Sequence, residues 1–269
     1  MITSGCGCGP AGRGALVSPK TLPTVRPVRH AARMETRTLG SLEAVVVAPR
    51  GEAVRAVVVL MHGFGAPGED LVGLADMIEA PPGTAFVFPK APHSFTELYG
   101  APPFVDARAW WKLDLEAIER ARRTGGVRDL SRERPEGIDA ARALVVALLA
   151  AVGERFPGAK VVLGGFSQGA MLACDTALRE GPKLAGLVVL SGTLVAEAEW
   201  AALFPTLRGT PVFQSHGTVD DILPFALAER LRDGLERAEA RLTWVAFEGG
   251  HGLSDEVVTG LSRFLGDHL

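Results

Sequence analysis

Short runs of branched apolar residues alternate with longer segments of helical periodicity from residue 42 to the end of the chain. The apolar runs predict seven strands, at residues 42–48, 55–61, 85–88, 160–164, 185–190, 211–215 and 242–247. The periodic segments predict five helices, at residues 70–79, 138–152, 168–180, 224–239 and 255–268. Strands that are apolar along their whole length are typical of parallel sheets buried on both faces. The pattern therefore predicts an α/β fold with a mostly parallel central sheet and helices on both faces.

Two places depart from this alternation. The connection between the first two predicted strands, from Pro49 to Glu52, is too short for a parallel crossover, so we expect an antiparallel hairpin there. Residues 95–135 form an insertion, within which residues 115–123 are predicted to be a short surface helix. A loop of this length in a compact domain is usually functional or partly helical.

The first 33 residues differ in composition from the rest. They are rich in Gly, Pro, Arg and Thr without an apolar period, so we expect a disordered tail followed by one domain over residues 34–269. The tail lacks the apolar segment of a secretory signal. The three cysteines, Cys6, Cys8 and Cys174, do not form the pattern of a disulfide framework, which favours a cytoplasmic location.

Composition narrows the classes of function. The 269 residues are 47% hydrophobic and 22% charged, which is the balance of an ordinary globular protein. A net charge of −3 gives no indication of a nucleic-acid partner. The longest apolar stretch, residues 143–152, is well short of the ~20 residues that cross a bilayer, so no membrane span is predicted.

Residues 165–169 have the pattern Gly-x-Ser-x-Gly and stand between a predicted strand and a predicted helix. A serine on such a turn is presented to substrate, and the flanking glycines let other backbone approach closely. The N-terminus of the following helix also favours negative charge at this point. A phosphate-binding turn is the alternative, but neither glycine-rich phosphate pattern is present here. Ser167 is therefore the candidate nucleophile.

A serine hydroxyl needs a base to take its proton. Hydrolases with this turn carry their catalytic groups in the order serine, acid, histidine along the chain. His251 follows the last predicted strand in a glycine-rich loop, so it is the candidate base. Asp220 and Asp221 both follow the sixth predicted strand, and their positions alone do not decide which is the acid. His62 and His216 also follow strands and are interpreted as structural.

The oxyanion formed during acyl transfer needs preorganised N–H donors. The expected donors are the backbone amides of Gln168, which follows the nucleophile, and of Phe64, in the loop after an early strand. Besides Phe64, candidates for an apolar acyl pocket are Trp110, Trp111, Leu194, Ile222 and Leu223, with ordinary core packing as the alternative for each. One interpretation makes the tryptophans the rim, and residues 113–134 the body, of a partial lid that selects the acyl group. The alternative is a solvent-exposed segment beside structural tryptophans.

Eight segments together resemble the phospholipase/carboxylesterase family, which includes acyl-protein thioesterases and small bacterial carboxylesterases. They are LMHGFG at residues 60–65, FPKAP at 88–92, AWW at 109–111, EGI at 136–138, GFSQGAM at 165–171, LSG at 190–192, HGTVD at 216–220 and GH at 250–251. The resemblance covers roughly residue 44 to the end of the chain, and residues 113–134 are longer than is usual in the family. It implies an α/β-hydrolase fold, a triad of Ser167, Asp220 and His251, and amide donors at Phe64 and Gln168. On this ground Asp220, rather than Asp221, is the expected acid.

These observations predict a serine hydrolase that cleaves carboxylic esters or thioesters of small to medium acyl chains through an acyl-enzyme. The expected partner is the small-molecule ester or thioester itself, and the chemistry requires no metal or cofactor. Acyl-protein thioesterase or lysophospholipase activity is one alternative. A catalytically silent α/β-hydrolase that serves as a binding module is another.

Overall fold

A computed structural model describes residues 32–123, 129, 131–181 and 183–269, and its largest element is one eight-stranded sheet. The sheet contains β1 (Ala32–Leu39), β2 (Leu42–Pro49), β3 (Ala56–Met61), β4 (Thr84–Pro89), β7 (Lys160–Phe166), β8 (Gly186–Leu190), β9 (Pro211–Gly217) and β10 (Arg241–Phe247). Two short strands, β5 (His93–Ser94) and β6 (Arg108–Ala109), pair with each other. The helices are α1 (Leu74–Met77), α2 (Phe95–Tyr99), α3 (Leu115–Arg123), α4 (Ile138–Arg155), α5 (Gln168–Glu180), α6 (Glu197–Leu203), α7 (Phe225–Arg237) and α8 (Asp255–His268), and a 3-10 turn spans Phe204–Leu207.

The strands lie in the order β1-β2-β4-β3-β7-β8-β9-β10. The six strands from β4 to β10 run parallel, whereas β1 and β2 are antiparallel to each other and β2 is antiparallel to β4. Parallel strands end at the same edge of a sheet, so the loops that follow β3, β7, β9 and β10 meet there. The architecture is the α/β-hydrolase fold, and the predicted mostly parallel sheet is confirmed.

Helices cover both faces of the sheet because the central strands are apolar on both sides. Along β3, Val57, Val59 and Met61 belong to the larger core, which is closed by α4, α5 and α7. Val58 and Leu60 point the other way, into a second core closed by α1 and α8. This alternation follows from the two-residue repeat of a strand.

The predicted hairpin between residues 42–48 and 55–61 is wrong. The corresponding strands, β2 and β3, run in opposite directions, but β4 lies between them and pairs with both. Two strand spacings amount to roughly 10 Å, a gap that the six residues between β2 and β3 can span. A short connection therefore excludes a parallel crossover without requiring the two strands to be neighbours.

The true partner of β2 in a hairpin is β1, a strand that the apolar pattern did not predict. Seven of its eight residues are exposed or only half-buried, so it has no apolar face to detect. The turn was the sequence feature that could have predicted this strand, because Gly-Ser is a typical two-residue hairpin loop. In the structure, Leu39 pairs with Leu42 across Gly40 and Ser41. Strand β1 begins two residues before the expected domain boundary at residue 34, and the rest of the expected tail, residues 1–31, lies outside the described residues.

The predicted helices at 138–152, 168–180, 224–239 and 255–268 correspond to α4, α5, α7 and α8, whereas α2 and α6 were not predicted. The predicted helix at 70–79 is reduced to Leu74–Met77, preceded by turns in which the amides of Asp70 and Val72 bond carbonyls three residues back. Gly73 interrupts the segment, and glycine disfavours a continuous helix. The short helix predicted at 115–123 is confirmed as α3. Among the described helices, none has the length and apolar character to cross a membrane.

The first turn of α5 lies directly on the backbone at the end of β3. A Cβ atom added at Gly169 would lie 2.2 Å from the carbonyl oxygen of Met61, and one added at Gly165 would lie 2.6 Å from the same oxygen. Both distances are far shorter than any real Cβ contact, and the opposing atom is backbone, which cannot turn aside. These two glycines therefore permit the close approach of β3, β7 and α5.

We predict opposite effects for two glycine-to-alanine changes in helices. Gly169→Ala should lower the free energy of unfolding by about 3 kcal/mol, near the upper end for overpacking, because its methyl meets backbone. Gly153→Ala, in α4 with open space around it, should raise that free energy by about 0.5–1 kcal/mol because alanine is the better helix former. Urea unfolding of both variants measures the two values. A Gly169→Ala variant as stable as the parent would contradict the packing described here.

Candidate active site

Ser167 occupies a sharp turn between β7 and α5. Its backbone has φ 54° and ψ −116°, a left-handed conformation that is rare for any residue other than glycine. Such strain costs about 1–3 kcal/mol and persists only where the surroundings hold it. Here the Ser167 amide donates to the Leu190 carbonyl at 2.9 Å, and the amides of Ala170 and Met171 donate to the Ser167 carbonyl. The turn presents the hydroxyl at the carboxyl edge of the sheet.

A chain of two hydrogen bonds joins Ser167, His251 and Asp220. The Nε2 atom of His251 lies 2.9 Å from the Oγ of Ser167, and its Nδ1 lies 2.7 Å from Oδ2 of Asp220. Because a carboxylate only accepts, Nδ1 carries the proton and Nε2 is left to accept from the serine hydroxyl. The ring of Phe166 packs on that of His251 with centroids 4.9 Å apart. The three side chains chosen from the sequence are therefore within hydrogen-bond reach of one another.

The Asp220 carboxylate is buried and accepts several hydrogen bonds. Its Oδ1 receives the amides of Ile222 at 2.9 Å and Leu223 at 2.8 Å, and its Oδ2 faces both His251 and His216. Burial alone would raise the pKa of this carboxyl, but the hydrogen bonds from His216, His251 and the Leu223 amide outweigh it and hold the pKa well below its usual range. The group is thus an anion at neutral pH, whereas Asp221 beside it is exposed to solvent.

The loops that carry the aspartate and the histidine are in backbone contact. A Cβ atom at Gly217, the last residue of β9, would lie 2.2 Å from the carbonyl oxygen of Gly250, so only glycine allows this approach. On the other side, the hydroxyl of Ser191 donates to the Gly252 carbonyl at 2.9 Å. Ser191 itself has a positive φ of 45° at the end of β8. These contacts hold the histidine loop from both flanks.

The loop after β3 lies against the serine turn. A Cβ atom at Gly63 would be 3.3 Å from the Cβ of Ser167, and Gly65 has a φ of +79°. The Phe64 amide thus belongs to a loop that touches the nucleophile turn. The Gln168 amide is the first of α5, one of the N–H groups that a helix cannot satisfy internally. The Gln168 amide thus adjoins Ser167 and the loop of Phe64 contacts the serine turn, while the role of both amides as oxyanion donors stays a prediction.

The buried His62 side chain holds the loop after β3 in place through hydrogen bonds. Its Nδ1 lies 2.8 Å from the Gly63 carbonyl and its Nε2 accepts the Ala91 amide at 3.0 Å, so the ring is the Nδ1–H tautomer. Burial lowers the pKa of His62 below its usual value and favours the neutral ring. This geometry fits the structural role expected from the sequence.

Trp110 and Trp111 lie in the core rather than at a pocket rim. Their exposed fractions are 1% and 2%, so the prediction that they form a rim in contact with water is wrong. The Trp110 indole donates to the His62 carbonyl at 2.9 Å. The Gln168 side chain accepts the Trp110 amide at 2.9 Å and donates to the Trp111 carbonyl at 3.0 Å. The tryptophan pair thus secures the first residue of α5, a support that the motif alone did not reveal.

The other candidates for the acyl pocket fall into two groups. Leu194 and Leu223 are buried in the larger core, as the packing alternative expects, while Ile222 is 46% exposed next to Asp220. A half-buried aromatic cluster lies at the loop after β3 instead. In it, the ring of Phe64 lies 4.9 Å from that of Phe95 and 6.1 Å from that of Tyr99. Sequence reasoning did not include Phe95 and Tyr99, which are separated from Phe64 by more than 30 residues.

The insertion is tied to this aromatic cluster by Tyr99. Its hydroxyl donates to the Leu113 carbonyl at 2.9 Å and accepts the Leu113 amide at 2.8 Å, just ahead of α3. Leu113 packs against the larger core, whereas Leu115 is exposed. A lid formed by residues 113–134 stays a prediction, and residues 124–128 and 130 of that segment lie outside the described residues.

Comparison with known proteins points to one family. The sequence model of the family described as phospholipase/carboxylesterase matches residues 42–269. Acyl-protein thioesterase 1 of Eremothecium gossypii is 31% identical over 190 residues, covering 68% of this chain and 74% of that protein. The crystal structure of esterase PE8 is similar with a TM-score of 0.67 and 29% identity, covering 90% of this chain and all of that one. Acyl-protein thioesterase 2 of Zea mays gives a TM-score of 0.58 and 27% identity, with coverages of 82% and 98%.

We predict that two neighbouring aspartates respond very differently to amide substitution. Asp220→Asn should lower kcat for ester hydrolysis by roughly 10⁴-fold, because the amide favours the wrong tautomer of His251. Asp221→Asn is the matched control and should change kcat by less than about threefold, since it alters one exposed charge. Steady-state rates of both variants on a small ester measure the difference. Equal losses, or the reverse order, would transfer the acid role to Asp221.

Proposed function

We infer the reaction from one premise, that this chain belongs to the phospholipase/carboxylesterase family, whose sequence model covers residues 42–269. It is a hydrolase of the esterase and thioesterase class. Our proposal is that it cleaves carboxylic esters or thioesters of small to medium acyl chains through an acyl-enzyme on Ser167. The observation that carries the proposal is the hydrogen-bonded chain from Ser167 Oγ through His251 to Asp220.

Acylation begins with the serine proton. His251 Nε2, 2.9 Å from Oγ, takes that proton while Oγ attacks the carbonyl carbon of the substrate. Asp220 then stabilises the imidazolium through the bond to Nδ1. Its lowered pKa supports this step because the carboxylate keeps its charge at neutral pH.

The tetrahedral oxyanion is bound, in this proposal, by the amides of Phe64 and Gln168. The contact between the loop after β3 and the serine turn supports this assignment, as does the helix terminus at Gln168. His251 next returns the proton to the leaving alcohol or thiol, and the carbonyl re-forms as the acyl-enzyme. Water repeats the sequence, giving its proton to His251 and releasing the acid and free Ser167.

The acyl group is proposed to contact the aromatic cluster of Phe64, Phe95 and Tyr99. The three rings are half-buried and contact one another within about 6 Å, next to the loop that would hold the oxyanion. Such rings bind an alkyl chain by area burial. The similarity to acyl-protein thioesterase 1 supports acyl-protein thioesterase activity as an alternative, and the family description supports lysophospholipase activity as another.

A catalytically silent binding module is the competing class. The complete hydrogen-bonded chain from Ser167 to Asp220 weighs against it, since a silent protein has no need of that geometry.

A cytoplasmic location is also part of the proposal. It is supported by the cysteine content, because Cys174 is buried in α5 without a disulfide partner among the described residues.

Ser167→Ala should abolish turnover, with a loss of roughly 10⁴–10⁶ in kcat, and remove labelling by a fluorophosphonate probe. The fold should persist because alanine fits the serine volume. Ser262→Ala, on the distant helix α8, is the matched control and should keep both activity and labelling. Mass spectrometry locates the adduct. A probe adduct on any other residue would remove Ser167 from the mechanism, and an unlabelled parent protein would favour the binding module.

Phe95→Ala should change the chain-length preference. We expect kcat/KM for an octanoyl ester to fall roughly tenfold more than that for an acetyl ester, because one aromatic contact contributes about 1–1.5 kcal/mol. Phe104→Ala, at a residue 85% exposed in the same insertion, should leave the ratio unchanged. A panel of esters and thioesters of graded length measures the profiles. Parallel profiles for Phe95→Ala and the parent would exclude the aromatic cluster as the acyl site.

A further inference from the structure

A second histidine contacts the carboxylate of the proposed triad. His216 lies near the end of β9 and is completely buried. Its Nε2 is 2.9 Å from the carbonyl oxygen of Leu223 and 3.2 Å from Oδ2 of Asp220. The sequence favoured a structural role for this residue, as a holder of its loop. The contact with Asp220 connects it to the reacting groups as well.

The acceptors around His216 determine the position of its proton. The Leu223 carbonyl and the Asp220 carboxylate can only accept hydrogen bonds, so Nε2 carries the proton. It donates to the Leu223 carbonyl at 2.9 Å and lies 3.2 Å from Oδ2 of Asp220. The Nδ1 atom is buried and has no hydrogen-bond partner among the described residues. The Nε2–H tautomer is therefore the one that the surroundings support, and the polar N–H group of His216 lies next to Oδ2 of Asp220.

Oδ2 of Asp220 is thus shared between two imidazoles. His251 Nδ1 lies 2.7 Å from this oxygen, and His216 Nε2 approaches it at 3.2 Å from β9. The other oxygen is held by two backbone amides, those of Ile222 and Leu223. Contacts at both oxygens restrain rotation of the carboxylate away from His251. One donor, His216, is a side chain, so its contribution can be removed by substitution.

We propose that His216 is a positioning residue of the triad, which holds Oδ2 of Asp220 opposite Nδ1 of His251 and shares the charge of that oxygen. The proposal rests on the function proposed above for Ser167, His251 and Asp220. His216 acts through Asp220 and does not touch substrate. It therefore has two measurable effects, one on the geometry of the carboxylate and one on the protonation of His251.

The two effects shift the protonation of His251 in opposite directions, and we expect the second to determine the shift because the amides of Ile222 and Leu223 still hold Oδ1 of Asp220. A hydrogen bond from His216 draws electron density from Oδ2, which weakens the stabilisation that Asp220 gives to protonated His251. Without that donor, His251 should keep its proton to a higher pH, and the rise of kcat/KM with pH should move upward. The other ionisable groups on the loops after β9 and β10 are Asp221 and Glu248, both exposed to solvent that screens their charge.

Two substitutions of nearly equal size separate the donor from the volume of the ring. His216→Met removes the donor and keeps an apolar side chain of similar reach, while His216→Gln keeps an amide N–H near the position of Nε2. The pH profile of kcat/KM on p-nitrophenyl acetate is measured for the parent and for both variants. Ser167→Ala is measured alongside, so that failure of the proposed function is seen separately.

For His216→Met we expect kcat/KM at neutral pH to fall about 10- to 100-fold, the effect of losing one hydrogen bond to a charged group, and the profile to move to higher pH. His216→Gln should restore most of both changes. A His216→Met profile with the parent's midpoint would overturn the proposal, whatever its amplitude, because a merely structural residue changes the amount of active enzyme and not its titration. Turnover by Ser167→Ala would instead reject the proposed function, and the role of His216 with it.

A third variant tests the positioning role of His216 if His216→Met does not fold. His216→Asn has a side chain one carbon shorter than glutamine, so its amide lies near the position of Nδ1 and cannot reach Asp220. We expect its profile to lie at higher pH than that of His216→Gln. Identical profiles for the asparagine and glutamine variants would overturn the proposal.

Discussion

The site depends on one backbone contact, that between the end of β3 and the first turn of α5. Gly165 and Gly169 have no side chain, and the carbonyl of Met61 occupies the space that a side chain would need. This contact brings the Gly63 loop against the Ser167 turn, so the proposed nucleophile and the proposed oxyanion donors are positioned by the same packing. The strained backbone of Ser167 persists because the strands and the helix around it leave no alternative. Rigid backbone at this point makes the site preorganised rather than assembled by substrate.

A second set of contacts aligns the base with that turn. The loops after β9 and β10 touch through Gly217, and Ser191 at the end of β8 bonds the histidine loop from the opposite side. All of these loops meet at one edge because the strands are parallel, so residues 84 positions apart in the sequence, Ser167 and His251, come within hydrogen-bond distance. Asp220 completes the arrangement as an anion whose oxygens are all bonded, which satisfies the requirement that a buried charge be paired.

Local patterns of apolar strands and glycine turns predicted seven of the eight strands of the central sheet, and Ser167 and His251 at its edge, whereas the choice of Asp220 over Asp221 came from the resemblance to the family. The sequence was insufficient wherever the result depends on non-local pairing. The position of β4 between β2 and β3 is decided by the register of the whole sheet, and the strand β1 is recognisable only from its turn. The burial of Trp110 and Trp111 is of the same kind, because a tryptophan suits a rim and a core equally and only the neighbouring elements decide. The contact of His216 with Asp220 likewise depends on the path of a loop and not on any spacing.

The central claim is that Ser167 carries the acyl group between the two halves of the reaction. It is tested most directly by mixing the protein with a p-nitrophenyl ester, quenching with acid during turnover, and sequencing the peptides by mass spectrometry. The account predicts that the peptide containing Ser167 gains the mass of the substrate's acyl group, and that this species decays when the ester is exhausted. Turnover without such an adduct, or with a decaying adduct on another side chain, would contradict it.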